Sequence, residues 1–136
     1  MSIRRSVLFL CTGNSVRSQI AEALTKARFP EWEAFSAGVR PTGSVHPMAV
    51  QVLKEIGIEH RGTSKSVDQY RGHEFDRVVT VCDAANEECP VWLGKGRRLH
   101  ESFRDPSSVA GSDAERLEAF RQVRDEISAR LPALLE

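Results

Sequence analysis

Hydrophobic and polar positions fall into blocks along this chain, and each block has the period of one element. Val7, Leu8, Phe9 and Leu10 form an unbroken apolar run, the mark of a strand buried on both faces, and the run stops at Cys11. From about Val16 the pattern turns helical. Ile20, Leu24 and Ala27 recur at helical spacing, Glu22, Lys26 and Arg28 take other faces, and Phe29-Pro30 ends the helix. Trp32 to Ala37 reads as a second strand, closed by Ala37-Gly38. His46-Pro47 puts proline in the first turn of a helix with the stripe Ala49, Val52, Leu53 and Ile56, and Gly57 is its natural C-cap. Residues 60 to 73 are polar and irregular, with one helical turn near Val67 to Tyr70. Phe75 to Val81 predicts a third strand ending at Cys82. Gly94 and Gly96 bracket a turn before a short strand near Arg98 to Glu101. Ser112-Asp113-Ala114-Glu115 is a capping box. It opens a helix with apolar positions at Leu117, Phe120, Val123, Ile127, Leu131 and Leu134.

Strands alternating with helices at this pace predict an α/β fold. The expectation is one domain over residues 1–136 with three layers, a central four-stranded parallel sheet carrying helices on both faces. Function then belongs at the C-terminal ends of the strands, where Cys11 and Cys82 both fall. A chain of 136 residues can bury a real core but has no room for two domains. Nineteen acidic and 19 basic side chains cancel, which argues against a nucleic-acid surface. The apolar runs are too short to span a bilayer. The run after Arg4 and Arg5 is too short for a signal peptide, so a cytoplasmic protein is expected, with neither nucleic acid nor membrane as partner. Three cysteines, an odd number, point to redox or catalytic use over a secreted disulfide scaffold.

The chemistry gathers on Cys11-Thr12-Gly13-Asn14-Ser15-Val16-Arg17-Ser18, where a buried strand hands a cysteine to a short polar loop and a helix. Gly13 and its polar neighbours let successive backbone N–H groups turn inward, and the helix adds its positive end. Residues Thr12 to Ser18 thus form an oxyanion cradle. Arg17 can grip a tetrahedral oxyanion through two parallel N–H bonds. The same field favours Cys11 as the attacking thiolate, and Ser18 is placed to donate to its sulfur. The alternative, a structural cysteine beside a surface arginine, is disfavoured by the strand before the loop and the helix after it. A nucleotide-binding loop is excluded by the missing G-x-x-x-x-G-K-[ST].

Cys82 and Cys89 are too far apart for a zinc knuckle, and His100 alone is a weak ligand, so no metal is expected. Two unrelated cysteines remain the plain alternative. Against it, a parallel sheet brings the ends of the first and third strands to one edge, giving Cys82 a route to Cys11. Asp105-Pro106 can hold a carboxyl over the oxyanion site to protonate a leaving oxygen, or it is only a turn.

These residues resemble the superfamily of low-molecular-weight tyrosine phosphatases and the arsenate reductases built on the same fold, over about residues 5 to 130. Gln19 after Arg17-Ser18 looks like the reductase branch, since the phosphatases usually carry proline there. Val79-Thr80-Val81-Cys82 and Cys89-Pro90 are similar to its thioredoxin-coupled members. The resemblance implies arsenate as substrate, Cys11 as nucleophile, and a relay through Cys82 and Cys89 emptied by thioredoxin or a similar thiol reductant, with no organic cofactor. Arg17 would bind the oxyanion and Asp105 would act as acid. Phosphatases of this fold usually place an aromatic residue after the Asp-Pro pair, where this chain has Ser107 and Ser108. Some relatives bind potassium through residues like Asn14, Glu22 and Ser36 with an aspartate; here Lys65 falls near that aspartate's place, and its ammonium can stand in for the cation. Val16 replaces a further cysteine of several relatives. The competing readings are a phosphatase using Cys11, Arg17 and Asp105, and a non-catalytic anion-binding or redox-sensing module.

Overall fold

The computed structural model describes residues 4–83, 87, 92 and 94–136. Strand β1 (Arg5–Cys11) leads into helix α1 (Arg17–Arg28), then β2 (Trp32–Gly38), α2 (Pro47–Lys54), β3 (Arg77–Thr80), β4 (Arg97–His100) and α3 (Asp113–Leu134). Short 3-10 turns cover Val67–Tyr70 and Pro106–Ser108. The four strands form one parallel sheet in the order β2-β1-β3-β4.

Because strand side chains alternate between faces, β1 feeds two cores. Val7, Phe9 and Cys11 enter one with Ile20 and Leu24 of α1, Val52 and Leu53 of α2, and Phe120, Ile127 and Leu131 of α3. Leu8 and Leu10 enter the other, with Val78, Phe75 and Trp92, and the 3-10 turn packs Val67 and Tyr70 against it. Each fully buried Leu, Ile or Phe contributes about 1.5–3 kcal/mol over an exposed one, so β1 is anchored from both sides. The register then places Cys11 opposite Gly38, and Val81 N donates to Leu10 O at 2.8 Å. Helix α1 is buried from Arg17 to Thr25, packed on the sheet and on α3.

Two elements end differently from the sequence pattern. Helix α2 stops at Lys54, so Ile56 falls in the following turn and is exposed, while Ile58 packs on the core in its place. Gly57 sits in that turn at φ +82°. Strand β3 is shorter than the apolar run Phe75 to Val81. Phe75 turns into an aromatic cluster with Phe35, Tyr70 and Trp92, and Asp76 exchanges hydrogen bonds with Ser6. The capping box forms as expected, with Glu115 N donating to Ser112 Oγ at 3.2 Å.

Candidate active site

Cys11 is a free thiol, 2% exposed, at the C-terminal end of the central strand. Its Sγ lies 2.8 Å from Ser18 Oγ, and Asn14 Nδ2 donates to that same oxygen at 2.8 Å. With Ser18 already accepting from Asn14, its own proton is available to the sulfur. Asn14 is fully buried at φ +48°, a left-handed conformation that a short polar side chain tolerates by bonding locally. Its Oδ1 accepts from Lys65 N at 2.8 Å and Gln19 Nε2 at 3.0 Å. Gln19 Nε2 also donates to Thr63 O at 2.8 Å, and His60 Nε2 lies 2.7 Å from Gln19 Oε1.

The loop's carbonyls are tied from outside. Arg40 N donates to Thr12 O, Thr42 N and Ser64 Oγ to Gly13 O, and His46 N to Ser15 O, all within 2.9–3.1 Å. In a planar trans peptide the N–H points opposite the C=O, so the amides of Gly13, Asn14 and Val16 point away from those partners. This is how the polar loop becomes a cradle of donors. Helix α1 begins behind it with no side-chain cap and no acidic residue in its first turn, so its positive end is unblocked by its own side chains.

Arg17 is buried, and Glu87 grips its guanidinium with both carboxylate oxygens; the Nη2–Oε2 distance is 3.0 Å. Nη1 also donates to Phe103 O at 3.1 Å. Asp105 Oδ2 lies 4.0 Å from Nη2. Burial opposes the charge on Arg17, but Glu87, Cys11 and Asp105 outweigh it and raise its pKa. Among the described residues, Arg17 Nε is buried with no acceptor. Glu87 further accepts from Thr12 Oγ1 at 2.6 Å and Asp83 N at 2.7 Å. Burial works against its charge too, yet Arg17, Thr12 and the Asp83 amide together pull its pKa to about 2.

Asp105 caps the 3-10 turn and accepts from Ser107 N at 3.0 Å and Ser107 Oγ at 2.7 Å. Ser107 thus holds the carboxylate through both its amide and its hydroxyl. A cleft of about 200 Å³ opens between Cys11, Gly13, Arg17, His46, Asp105 and Ser107. The loop cysteine, the arginine and the aspartate expected from the sequence do converge.

Cys82 is fully buried in the same core cluster as Cys11 and is disulfide-bonded, whereas Cys11 is not. Cys89 and Pro90 lie outside the described residues, as does most of the segment between the two cysteines. In the corner of Asn14, Glu22 and Ser36, Lys65 Nζ donates to Thr63 O at 2.7 Å and sits 3.9 Å from Glu22 Oε1, while Ser36 Oγ donates to Glu22 Oε1 at 2.8 Å. Sequence reasoning missed Glu87, the braces Gln19, His60 and Thr63, and the cleft residue His46. Glu87 stands in a polar stretch beside Glu88, and nothing in that stretch marks which carboxylate turns inward.

The model of the family "Low molecular weight phosphotyrosine protein phosphatase" matches residues 6–136. An arsenate reductase of Halalkalibacterium halodurans is 42% identical over 135 residues, covering 98% of this chain and 96% of its own length. A solved arsenate reductase in its phosphate-binding state superposes with a TM-score of 0.78 at 29% identity, over 96% of this chain and 95% of that one. A thioredoxin-dependent arsenate reductase of Corynebacterium glutamicum has a TM-score of 0.62 at 26% identity, over 98% of this chain and 63% of that one.

Proposed function

The chain belongs to the low-molecular-weight phosphotyrosine protein phosphatase family, and on that premise we propose that it reduces arsenate to arsenite with electrons from a thioredoxin-like dithiol. One observation carries this reading. A free Cys11 in an oxyanion loop shares its buried cluster with a disulfide-bonded Cys82. Ester hydrolysis consumes no electrons and has no use for that pairing. Arsenate reduction consumes two.

Arsenate enters the loop, bound by the amides of residues 12–18 and by Arg17. The Cys11 thiolate attacks arsenic, an S–As bond forms, and an oxygen leaves as water with a proton from Asp105. Cys82 then attacks the Cys11 sulfur. A Cys11–Cys82 disulfide forms, the S–As bond breaks, and its electron pair leaves with arsenic as arsenite. Cys89 attacks Cys82, moving the disulfide to Cys82–Cys89 and returning Cys11 as thiolate. The reductant's dithiol takes over the disulfide and leaves Cys82 and Cys89 as thiols. Disulfide-bonded Cys82 beside free Cys11 matches the state before that last exchange. We assign the reaction to the cytoplasm, where such dithiols are kept reduced; no described helix is long and apolar enough to cross a membrane.

A phosphoester side reaction would use the same Cys11, Arg17 and Asp105. The test is arsenite formation with thioredoxin, thioredoxin reductase and NADPH, run beside p-nitrophenyl phosphate hydrolysis. NADPH consumption that depends on both arsenate and thioredoxin is the expected result. Hydrolysis without any arsenate-dependent NADPH consumption would reassign the protein as a phosphatase.

A further inference from the structure

We propose that Glu87 is an intramolecular anion that competes with the substrate oxyanion for Arg17 while Cys82 is in its disulfide. The inference rests on the reductase reading above and adds a control on its order of events. Both terminal nitrogens of Arg17, the pair that would grip an oxyanion, are engaged by the Glu87 carboxylate. That carboxylate also takes the Thr12 hydroxyl, a side chain of the cradle itself. A carboxylate resembles one face of a tetrahedral oxyanion in charge and in the spacing of its oxygens, so it fits the same donors. Glu87 is also coupled to the redox cysteine through the chain, since its Oε1 accepts from the amide of Asp83, the residue directly after Cys82. A second cleft, of about 330 Å³, lies between Asp83, Glu87, Arg104, Asp105 and Ser108 and shares Asp105 with the cleft at Cys11.

The arrangement answers a hazard of the relay. Once the disulfide has moved on from Cys11, that residue is again a nucleophile, but Cys82 is still oxidised. An arsenate bound then would form a Cys11 adduct that no free Cys82 can resolve. With Glu87 on Arg17, the oxyanion meets a neutralised guanidinium and must displace a charged, doubly bonded competitor. Reduction of Cys82 loosens the hold of the Asp83 amide on Glu87, and the substrate can compete.

Inorganic phosphate serves as the probe, titrated by calorimetry into fully reduced protein and into protein oxidised at Cys82, with Cys11 shown to be free by mass spectrometry. Oxidised wild type should bind phosphate at least about tenfold more weakly than reduced wild type. In Glu87→Gln and Glu87→Ala the gap should shrink to about twofold, chiefly by gain of affinity in the oxidised form. Equal affinities in oxidised and reduced wild type, or a gap unchanged by both substitutions, would overturn the proposal. A measurement on wild type alone guards against a variant that misfolds: phosphate should slow iodoacetamide labelling of Cys11 in the reduced protein and not in the oxidised one, and equal protection would count against competition by Glu87. The result is separable from the reductase assay. A redox-dependent phosphate affinity in a protein that reduces no arsenate leaves the Glu87 contact standing and removes the proposed substrate. A loop that binds no phosphate in any form overturns the Glu87 proposal, while the reductase reading stands or falls with the arsenite assay.

Discussion

Ser18 Oγ lies 2.8 Å from the Cys11 sulfur, and its acceptor side is occupied by Asn14 Nδ2, so the hydroxyl proton is directed to the nucleophile. A hydrogen bond to a charged group is worth about 1.5–3 kcal/mol, roughly ten- to a hundredfold in a rate that depends on that charge. Ser18→Ala should slow both arsenate turnover and iodoacetamide labelling of Cys11 by about that factor at pH 7. Cys11→Ser should abolish turnover altogether. Labelling of the Ser18→Ala variant at the wild-type rate would show that the contact does nothing for the sulfur.

Asp105 is held by both the amide and the hydroxyl of Ser107 at the mouth of the Cys11 cleft. As the acid that accompanies loss of water, its replacement by Asn should lower kcat by about 10²–10⁴-fold. Phosphate affinity of the reduced protein should stay equal or rise, because a negative charge 4.0 Å from Arg17 is removed. A loss of binding with kcat preserved would reassign Asp105 to substrate binding.

The relay separates the two activities. Cys82→Ser and Cys89→Ser should each stop repeated arsenate turnover with thioredoxin, while slow p-nitrophenyl phosphate hydrolysis persists in both. Far-UV circular dichroism and melting curves matching wild type are the folding control. Normal cycling of arsenate by either variant contradicts the relay.

Gly38 marks a steric limit beneath the loop. A Cβ built there would stand 2.5 Å from Thr12 O, 2.9 Å from Asn14 N and 3.0 Å from Cys11 O, all backbone atoms of the cradle. Gly38→Ala should therefore destabilise the fold by about 1–3 kcal/mol and weaken phosphate binding in the same variant. A variant with wild-type melting and wild-type phosphate affinity would show that the loop has slack.

Two histidines near the site set a pH dependence. Burial lowers the pKa of His60, with Lys26 and Lys65 adding to it against Glu22; burial and Arg116 lower that of His46 against Asp105. For a base whose folded pKa lies below its ordinary 6.5, the fold favours the neutral form. Stability is therefore complete above 6.5 and declines as pH falls through and below it, because the unfolded chain takes up the proton first. Between about pH 7 and about pH 5 the melting temperature should fall, and His60→Gln, which keeps a hydrogen-bonding side chain near Gln19, should flatten part of that fall. A Tm that holds steady over this range in wild type would contradict the assignment.

The apolar run at β1, the helical stripes of α1 and α3, the capping box at Ser112 and the Cys11-to-Ser18 loop were all legible in the sequence, because each depends on residues close in the chain. Periodicity, caps and turn chemistry are local physics. So is the juxtaposition of a nucleophile and an arginine across one loop, which the strand-to-helix turn alone enforces. Ile56 shows where that reading stops. It obeys the helical stripe, but the helix ends at Lys54, and the core accepts Ile58 in its place. Only the tertiary structure decided which distant groups meet the loop. Gln19 and Lys65 brace Asn14, with His60 and Thr63 holding Gln19; Gly38 leaves space for the cradle; and Glu87, 70 residues from Arg17, takes its guanidinium. Nothing in the local pattern separates Glu87 from Glu88. A carboxylate's preference for water over burial is reversed only by a cation already buried and waiting for it, and Arg17 is put in that position by the packing of α1 between the sheet and α3.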